Sequence, residues 1–275
     1  MPRLKVLLTV TTYPLPSRSY DELVCTAGVL EDGSWIRIYP IPMSFLFDLK
    51  KGESLNKIKY QWIELDLVKR TDDFRPESYS PKHYDFRDIV VGESYDTKSN
   101  WLRRKELCLD NVYASLSKLI ELSKDPTNKS LASFKPTKIH KLEIVPDDRE
   151  WKDEWTALRQ QGDLFTDVKS PESLIPKLPY KFKYRFEDDS GKSSLMMIED
   201  WEIGALYWNC LKRANGNEEV ALEKVREKYE KVFLAKNDIT FFLGTTKEFH
   251  RRRMSNPFVI IGVFYPLREI QGSLF

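Results

Sequence analysis

Cysteine is scarce in this 275-residue chain: Cys25, Cys108 and Cys210 stand far apart and form no CxxC pair. An odd, sparse set of this kind excludes a disulfide framework and a structural zinc site of the usual spacing. Histidine is equally thin, with only His83, His140 and His250. No run approaches the roughly 18–20 apolar residues of a membrane span. The opening apolar run, Val6 to Val10, is interrupted by Thr9 and is too short for a signal-peptide core, so a cytoplasmic location without membrane contact is expected. Net charge is missing too. Forty-four Lys and Arg against 42 Asp and Glu leave +2. No whole-molecule field draws the chain to a polyanion, so any nucleic-acid site must be local. Neither a GxxxxGK[ST] phosphate loop nor a GxGxxG turn is present, and no motif names a cofactor or a metal.

What is present suits a folded α+β protein. Hydrophobic residues make up 41% and aromatics 13% of the chain, enough for a core. Leu4–Thr11 reads as a strand. Leu23–Leu30 and Ser34–Pro40 flank Asp32-Gly33, a strong hairpin signal. Tyr60–Val68 alternates as a strand, and residues 71–98 read as a long polar loop. Trp101–Ser123 carries apolar residues at helical spacing. Lys138–Val145 reads as a strand. Tyr180–Glu187 and Ser194–Ile198 form a second hairpin around Asp188-Asp189-Ser190-Gly191. Two helices, Glu199–Arg213 and Glu218–Leu234, are divided by Asn215-Gly216. Strands follow at Ile239–Leu243 and Phe258–Phe264. The expectation is a β-rich half over 1–145, a linker or arm over 146–175 and a mixed half over 176–275, with one continuous domain as the alternative.

Three local strips could meet nucleic acid. Trp35, Arg37 and Tyr39 share one face of a strand, as base stacking and phosphate contact together require. On the second hairpin Tyr180, Phe182, Tyr184 and Phe186 take the core face, leaving Lys181, Lys183 and Arg185 in a row. Such a row neutralises phosphates or protects an edge strand. Arg251, Arg252 and Arg253 sit between two apolar strands, as a phosphate grip or a solvated turn. A fourth cluster, Trp101-Leu-Arg-Arg-Lys105, opens the long helix, where the dipole disfavours cations. For catalysis, Cys25 with His250 as base is one pairing. Glu64 and Asp66 with Lys69 loosely resemble a carboxylate-plus-lysine nuclease set. Asp200-Trp-Glu202 most simply opens a helix.

Two pentapeptides repeat one pattern. Gln161-Gly-Asp-Leu-Phe165 and Gln271-Gly-Ser-Leu-Phe275 resemble the bacterial sliding-clamp-binding peptide, Gln-Leu-(Ser/Asp)-Leu-Phe, with Gly in place of its Leu. The resemblance implies that Gln161 and Gln271 hydrogen-bond a clamp, while Leu164-Phe165 and Leu274-Phe275 fill its apolar pocket. The other reading has both peptides docking on the protein's own surface. More broadly, Cys25-Thr-Ala-Gly28, Trp35-Ile-Arg-Ile-Tyr-Pro40, Asp200-Trp-Glu202 and Gly244-Thr-Thr-Lys-Glu-Phe249 resemble a widespread bacterial family from mobile and defence-type gene islands. The resemblance extends to accessory proteins that place 7-deazaguanines in DNA. Relatives carry Cys and His in the hairpin that here is Asp188–Ser194. This chain has neither, so no metal is expected there.

Three readings follow. The first is a nucleic-acid-binding or DNA-processing accessory protein, with DNA favoured and a clamp tether. The second is an enzyme acting on a base or nucleotide. The third is a non-catalytic interaction module.

Overall fold

A computed structural model describes residues 3–16, 22–42, 46, 59–86, 89–151 and 176–269. The chain forms two compact units. One takes in Met1–Ser94 and Ile144–Phe182, the other Tyr95–Glu143 and Lys183–Phe275. This division places Tyr95–Glu143 with the C-terminal strands, where the sequence reading set it with the first 94 residues. Strands and helices are both plentiful, with the strands concentrated early, so the class is α+β. Among the described residues no helix is long and apolar enough to cross a membrane.

The first unit is built on β1 (Arg3–Thr11), β2 (Leu15–Pro16), β3 (Glu22–Leu30), β4 (Trp35–Pro42), β5 (Gln61–Lys69), β6 (Ser78–Pro81) and β7 (Val90–Ser94). The Asp32-Gly33 hairpin joins β3 to β4, with Gly33 at φ +77° as its turn requires. Pairing runs β1–β3–β4 antiparallel, then β4–β6 parallel, then β6–β5 and β5–β1 antiparallel. The ring therefore closes. Leaving aside β2 and β7, its strands follow the order first, second, third, fifth, fourth, first. That is the Greek-key connectivity of an oligonucleotide/oligosaccharide-binding (OB) barrel. Val6, Leu8, Ile36, Ile38, Ile63 and Leu65 are buried in its core. The segment expected as a 71–98 loop supplies both the closing strand β6 and the exposed β7.

The second unit repeats the connectivity. It contains α1 (Lys98–Cys108), β8 (Val112–Tyr113), α2 (Leu116–Leu122), β9 (Leu131–Phe134), β10 (Lys138–Pro146), β11 (Tyr180–Glu187) and β12 (Ser193–Met197). Then come α3 (Trp201–Arg213), α4 (Glu218–Arg226), a π-turn (Glu227–Val232), α5 (Phe233–Lys236), β13 (Thr240–Thr245), α6 (Lys247–Arg251) and β14 (Phe258–Phe264). The outer ends of β10 and β11 are counted with the first unit. β10 pairs β11, and β11 pairs β12. A parallel bridge, Ile198 to Ile260, joins the end of β12 to β14. β14 pairs β13, and β13 pairs β9, which runs on into β10. With β9 and β10 counted as one bent first strand, the order is again first, second, third, fifth, fourth, first.

Aromatic residues fill this second barrel. Tyr184 stacks on Phe241 with centroids 5.6 Å apart, and Phe186 meets Phe241 edge-on at 5.3 Å. The expected core face of β11 is thus correct for Phe182, Tyr184 and Phe186, all buried. The β11–β12 turn is pinned by Asp188, which is 2% exposed. Its carboxylate accepts from Ser190 N, Ser190 Oγ, Lys192 N and Leu116 N. Burial pushes this carboxyl up, but those donors outweigh it and hold it below the usual range. Asp200 opens α3 as expected, accepting from Glu202 N, while its other oxygen accepts from Val263 N.

The helix expected over Trp101–Ser123 is broken. Val112 and Tyr113 leave helical geometry to pair β9, so a tertiary ladder overrides local spacing. Ser99, Asn100 and Trp101 take left-handed φ values of 49°, 52° and 65°. Non-glycine residues adopt that region at a cost of about 1–2 kcal/mol each, and tertiary contacts hold them there. Asn100 Nδ2 donates to the Leu267 carbonyl at 2.9 Å, and Leu267 N donates to Asn100 Oδ1 at 2.7 Å. Trp101 packs on Phe264 and Tyr265. Beyond β14, Arg268 bonds the carbonyls of Asn237 and Leu234, and Lys105 pairs with Glu269 at 2.7 Å. The chain is tied down as far as Glu269.

Candidate functional site

In an OB barrel, ligands meet the outer face of the second and third strands and the loops after the first and fourth strands. In the first unit those strands are β3 and β4, and the loop after the fourth strand is Arg70–Glu77. Tyr39 stands on this face, 36% exposed, and Trp35 is half-buried. Phe74, 44% exposed, projects from the loop. The Arg70 guanidinium lies 5.4 Å from the Tyr39 ring centroid and donates to the Tyr39 carbonyl at 2.9 Å. It also grips Asp72 through two nitrogens, at 3.0 and 2.6 Å. That forked pair fixes the guanidinium in place. The result is a rigid aromatic and arginine surface on a well-packed barrel.

Arg37 does not join Trp35 and Tyr39 at the surface. It is 3% exposed and donates to Ser78 Oγ at 3.2 Å. Burial, and then the neighbouring Arg75, lower its pKa. Arg75 is buried as well, and forks onto Asp73 at 2.9 and 2.6 Å. Burial alone raises the Asp73 carboxyl, but hydrogen bonds and charge from Arg75 dominate and hold it far below the usual carboxylate range. Arg37 and Arg75 are thus struts beneath the loop, not phosphate contacts. Phe74, which sequence reasoning missed, is exposed on the loop, and Arg70, also missed, lies half-buried beside Tyr39. Phe74 belongs to the polar 71–98 segment and Arg70 immediately precedes it, but only the closed ring assigns them a role.

In the second unit the equivalent strands are β11 and β12, and the equivalent loop runs from 246 to 257. Thr246 caps α6 by accepting from Phe249 N at 3.1 Å. Phe249 is 38% and Met254 48% exposed. Arg251 and Arg253 are exposed and have no ion-pair partner among the described residues; Arg252 pairs with Glu248 at 2.8 Å. The loop therefore presents two guanidiniums with no ion-pair partner among the described residues, between two exposed apolar side chains. The β11 row is different. Lys181 pairs with Asp147 at 2.7 Å, and Arg185 pairs with Glu143 at 2.6 Å. Only Lys183 has no ion-pair partner among the described residues. The row is largely self-neutralised, because β10 carries Glu143 and the residue just beyond its end is Asp147.

The pairing of Cys25 with His250 is not assembled within either unit, since Cys25 lies in the first and His250 in the second. His250 is 6% exposed, and both its ring nitrogens are engaged. Its Nε2 faces the Ser123 carbonyl, which only accepts, so Nε2 carries a proton; Nδ1 lies 3.0 Å from Thr245 Oγ1. This buried histidine clasps α6 to the end of α2. Cys25 exchanges backbone and side-chain hydrogen bonds with Thr12. Glu64 and Asp66 are spent on Arg3 at 3.7 Å and Lys82 at 3.9 Å. Among the described residues no group of three or more metal-ligating side chains comes together. Of the Trp101–Lys105 cluster, Arg104 donates twice to the Tyr95 carbonyl and Arg103 pairs with Glu106, so most of its charge is used internally. Gln161, Leu164, Phe165, Gln271, Leu274 and Phe275 lie outside the described residues.

The chain is thus a protein of two OB-type barrels, each with cationic and exposed aromatic side chains at positions where such barrels meet ligands. It belongs to the family described as Domain of unknown function (DUF8757), whose model matches residues 112–275. A second model, Domain of unknown function (DUF8758), matches residues 2–110. No curated protein matches the sequence. Two solved structures overlap it loosely. One is the tetrameric p202 HIN2, at 9% identity and TM-score 0.30, covering 98% of this chain and 92% of that one. The other is a murine DNA-binding protein bound with double-stranded DNA, at 10% identity and TM-score 0.31, covering 99% and 98%. Overlap this loose carries neither fold nor function across.

Proposed function

We propose that this chain is a nucleic-acid-binding protein, with DNA the favoured partner. One observation carries the reading. In both barrels exposed aromatic side chains stand beside guanidiniums at the generic ligand positions: Tyr39 and Phe74 with the half-buried Arg70 in the first, Phe249 with the exposed Arg251 and Arg253 in the second. Aromatic rings stack on unpaired bases and guanidiniums meet phosphates, which favours single strands over duplexes. The net charge of +2 means that attraction comes from these patches alone. The resemblance to proteins of defence-type gene islands fits a DNA-directed role in such a setting.

The test is a salt titration with a single-stranded oligonucleotide, read by fluorescence anisotropy. Log affinity falls linearly with log salt in the wild type, and a flat line sinks the reading. Arg251→Glu with Arg253→Glu weakens binding about a hundredfold near physiological salt and flattens the slope by about 0.7 per lost contact. Tyr39→Ala costs about tenfold through lost stacking, with the slope unchanged.

The two Gln-Gly-x-Leu-Phe peptides support a tether to a sliding clamp as part of the same reading. Deleting Gln161–Phe165 and Gln271–Phe275 together abolishes capture of the full-length protein on immobilised clamp. Equal capture after deletion removes the tether and leaves nucleic-acid binding standing.

A further inference from the structure

The cations on β11 are not equally available. Glu143, on the adjacent strand β10, places Oε1 2.6 Å from Arg185 Nε and 3.4 Å from Lys141 Nζ. One carboxylate oxygen thus occupies the point where two cations converge. A phosphate oxygen bound by Arg185 through the same N–H would stand there. Arg185, and secondarily Lys141, hold the Glu143 carboxyl below its usual range, so it stays ionised at neutral pH. Lys183 stands one alternation away on the same face of β11, half-buried and with no ion-pair partner among the described residues. Opposite these cations on β12 stand Met197 and Leu195, in register with Lys183 and Arg185. Among the described residues this face has no exposed aromatic ring. It offers phosphate contacts rather than base stacking, and Glu143 takes up the strongest of them.

We infer that Glu143 is a built-in competitor for phosphate, and that it sets how many cations the β11 face gives to a bound strand. The inference rests on the nucleic-acid reading above. Wild-type affinity then comes chiefly from the two loops and the Tyr39 surface. The β11 face contributes only when a phosphate displaces the Glu143 carboxylate.

Glu143→Gln keeps the size of the side chain and one acceptor oxygen but removes the charge. The measurement is the affinity of full-length wild type and variant for a single-stranded oligonucleotide across a salt series, with thermal unfolding to confirm the fold. The expected result is about tenfold tighter binding at low salt, and a log–log slope steeper by about 0.7–1.4, the signature of one or two added phosphate contacts on a single strand. Adding Arg185→Ala to Glu143→Gln returns the slope to the wild-type value. An unchanged slope in Glu143→Gln overturns the inference while wild-type binding persists. Weaker binding overturns it too, because Glu143 would then be orienting Arg185 for its contact. A gain that survives Arg185→Ala places the effect elsewhere and also overturns it. If neither protein binds at any salt concentration, the nucleic-acid reading itself fails. The absence of wild-type binding separates that failure from the others.

Discussion

Gly28→Ala is expected to destabilise the first barrel more than any other single methyl addition at the glycines whose surroundings are described. A Cβ at Gly28 stands 2.2 Å from the Leu7 carbonyl oxygen and 2.8 Å from Val6 Cγ1. Leu7 O belongs to the backbone of β1, which is held between β3 and β5, and so cannot swing aside as a side chain could. The close approach adjoins the register shift between Leu8 and Val10, where β1 bends across β3. Relief requires the two strands to part. Overpacking of a rigid core ordinarily costs about 1–3 kcal/mol, and a backbone clash this short belongs at or above the upper end. Gly191→Ala is the control. Nothing lies within 4 Å of its added Cβ, and its φ of +73° leaves only the left-handed cost, about 1 kcal/mol. Urea unfolding followed by tryptophan fluorescence reads both. Equal midpoints for the two variants would show that β1 and β3 yield freely.

Asp73→Asn is expected to cost about 3–5 kcal/mol, the range for removing one partner of a buried ion pair. The side chains of Asp73 and Arg75 are 3% and 8% exposed, and Arg37 is buried beside them. Without the carboxylate, two guanidiniums face each other in a dry site. The pH dependence carries the same signature. The folded-state pKa of Asp73 lies below its unfolded value. Its contribution is therefore complete above the unfolded pKa of about 4 and is lost as pH falls below it. The wild type loses stability through that acid window, and Asp73→Asn loses less there because its penalty is already present at pH 7. Urea midpoints at pH 7 and at steps down to pH 3 decide it. A variant as stable as wild type at pH 7 would mean that the loop is not held from beneath. Because the struts position Arg70 and Phe74, the same substitution also weakens oligonucleotide binding while the barrel remains folded.

Much of the secondary structure was legible in the sequence. The alternation in 35–39 and 180–186, the Asp-Gly turn and the apolar run Phe258–Phe264 all correspond to observed strands. What was not legible is closure. The first ring closes through Arg37 and Ile38 against Ser78 and Tyr79, a two-residue parallel match to a strand that ends in Pro81. The second closes through one bridge between residues 62 positions apart in sequence, Ile198 and Ile260. Periodicity is local and such pairings are not. The same limit explains the site residues. Trp35, Arg37 and Tyr39 do share a strand face, but the burial of Arg37 is decided by Asp73, Arg75 and Ser78, which arrive from another part of the chain. The row Lys181, Lys183, Arg185 is read correctly as one face. Its neutralising acids, Glu143 on β10 and Asp147 just past its end, precede their partners by 42 and 34 residues. Pairing His250 with Cys25 from the sequence misses Ser123, a hydrogen-bond partner of its ring that arrives from far upstream.

The clasp between Asn100 and Leu267 bears on mechanics as well as stability. Leu267 is bonded to Asn100, and the next residue, Arg268, to the carbonyls of Asn237 and Leu234. Two neighbouring residues thus fasten the stretch after β14 to two segments far apart in sequence. A load on that stretch is shared between the left-handed turn at Ser99–Trp101 and the segment before β13, so β14 is not peeled away by itself.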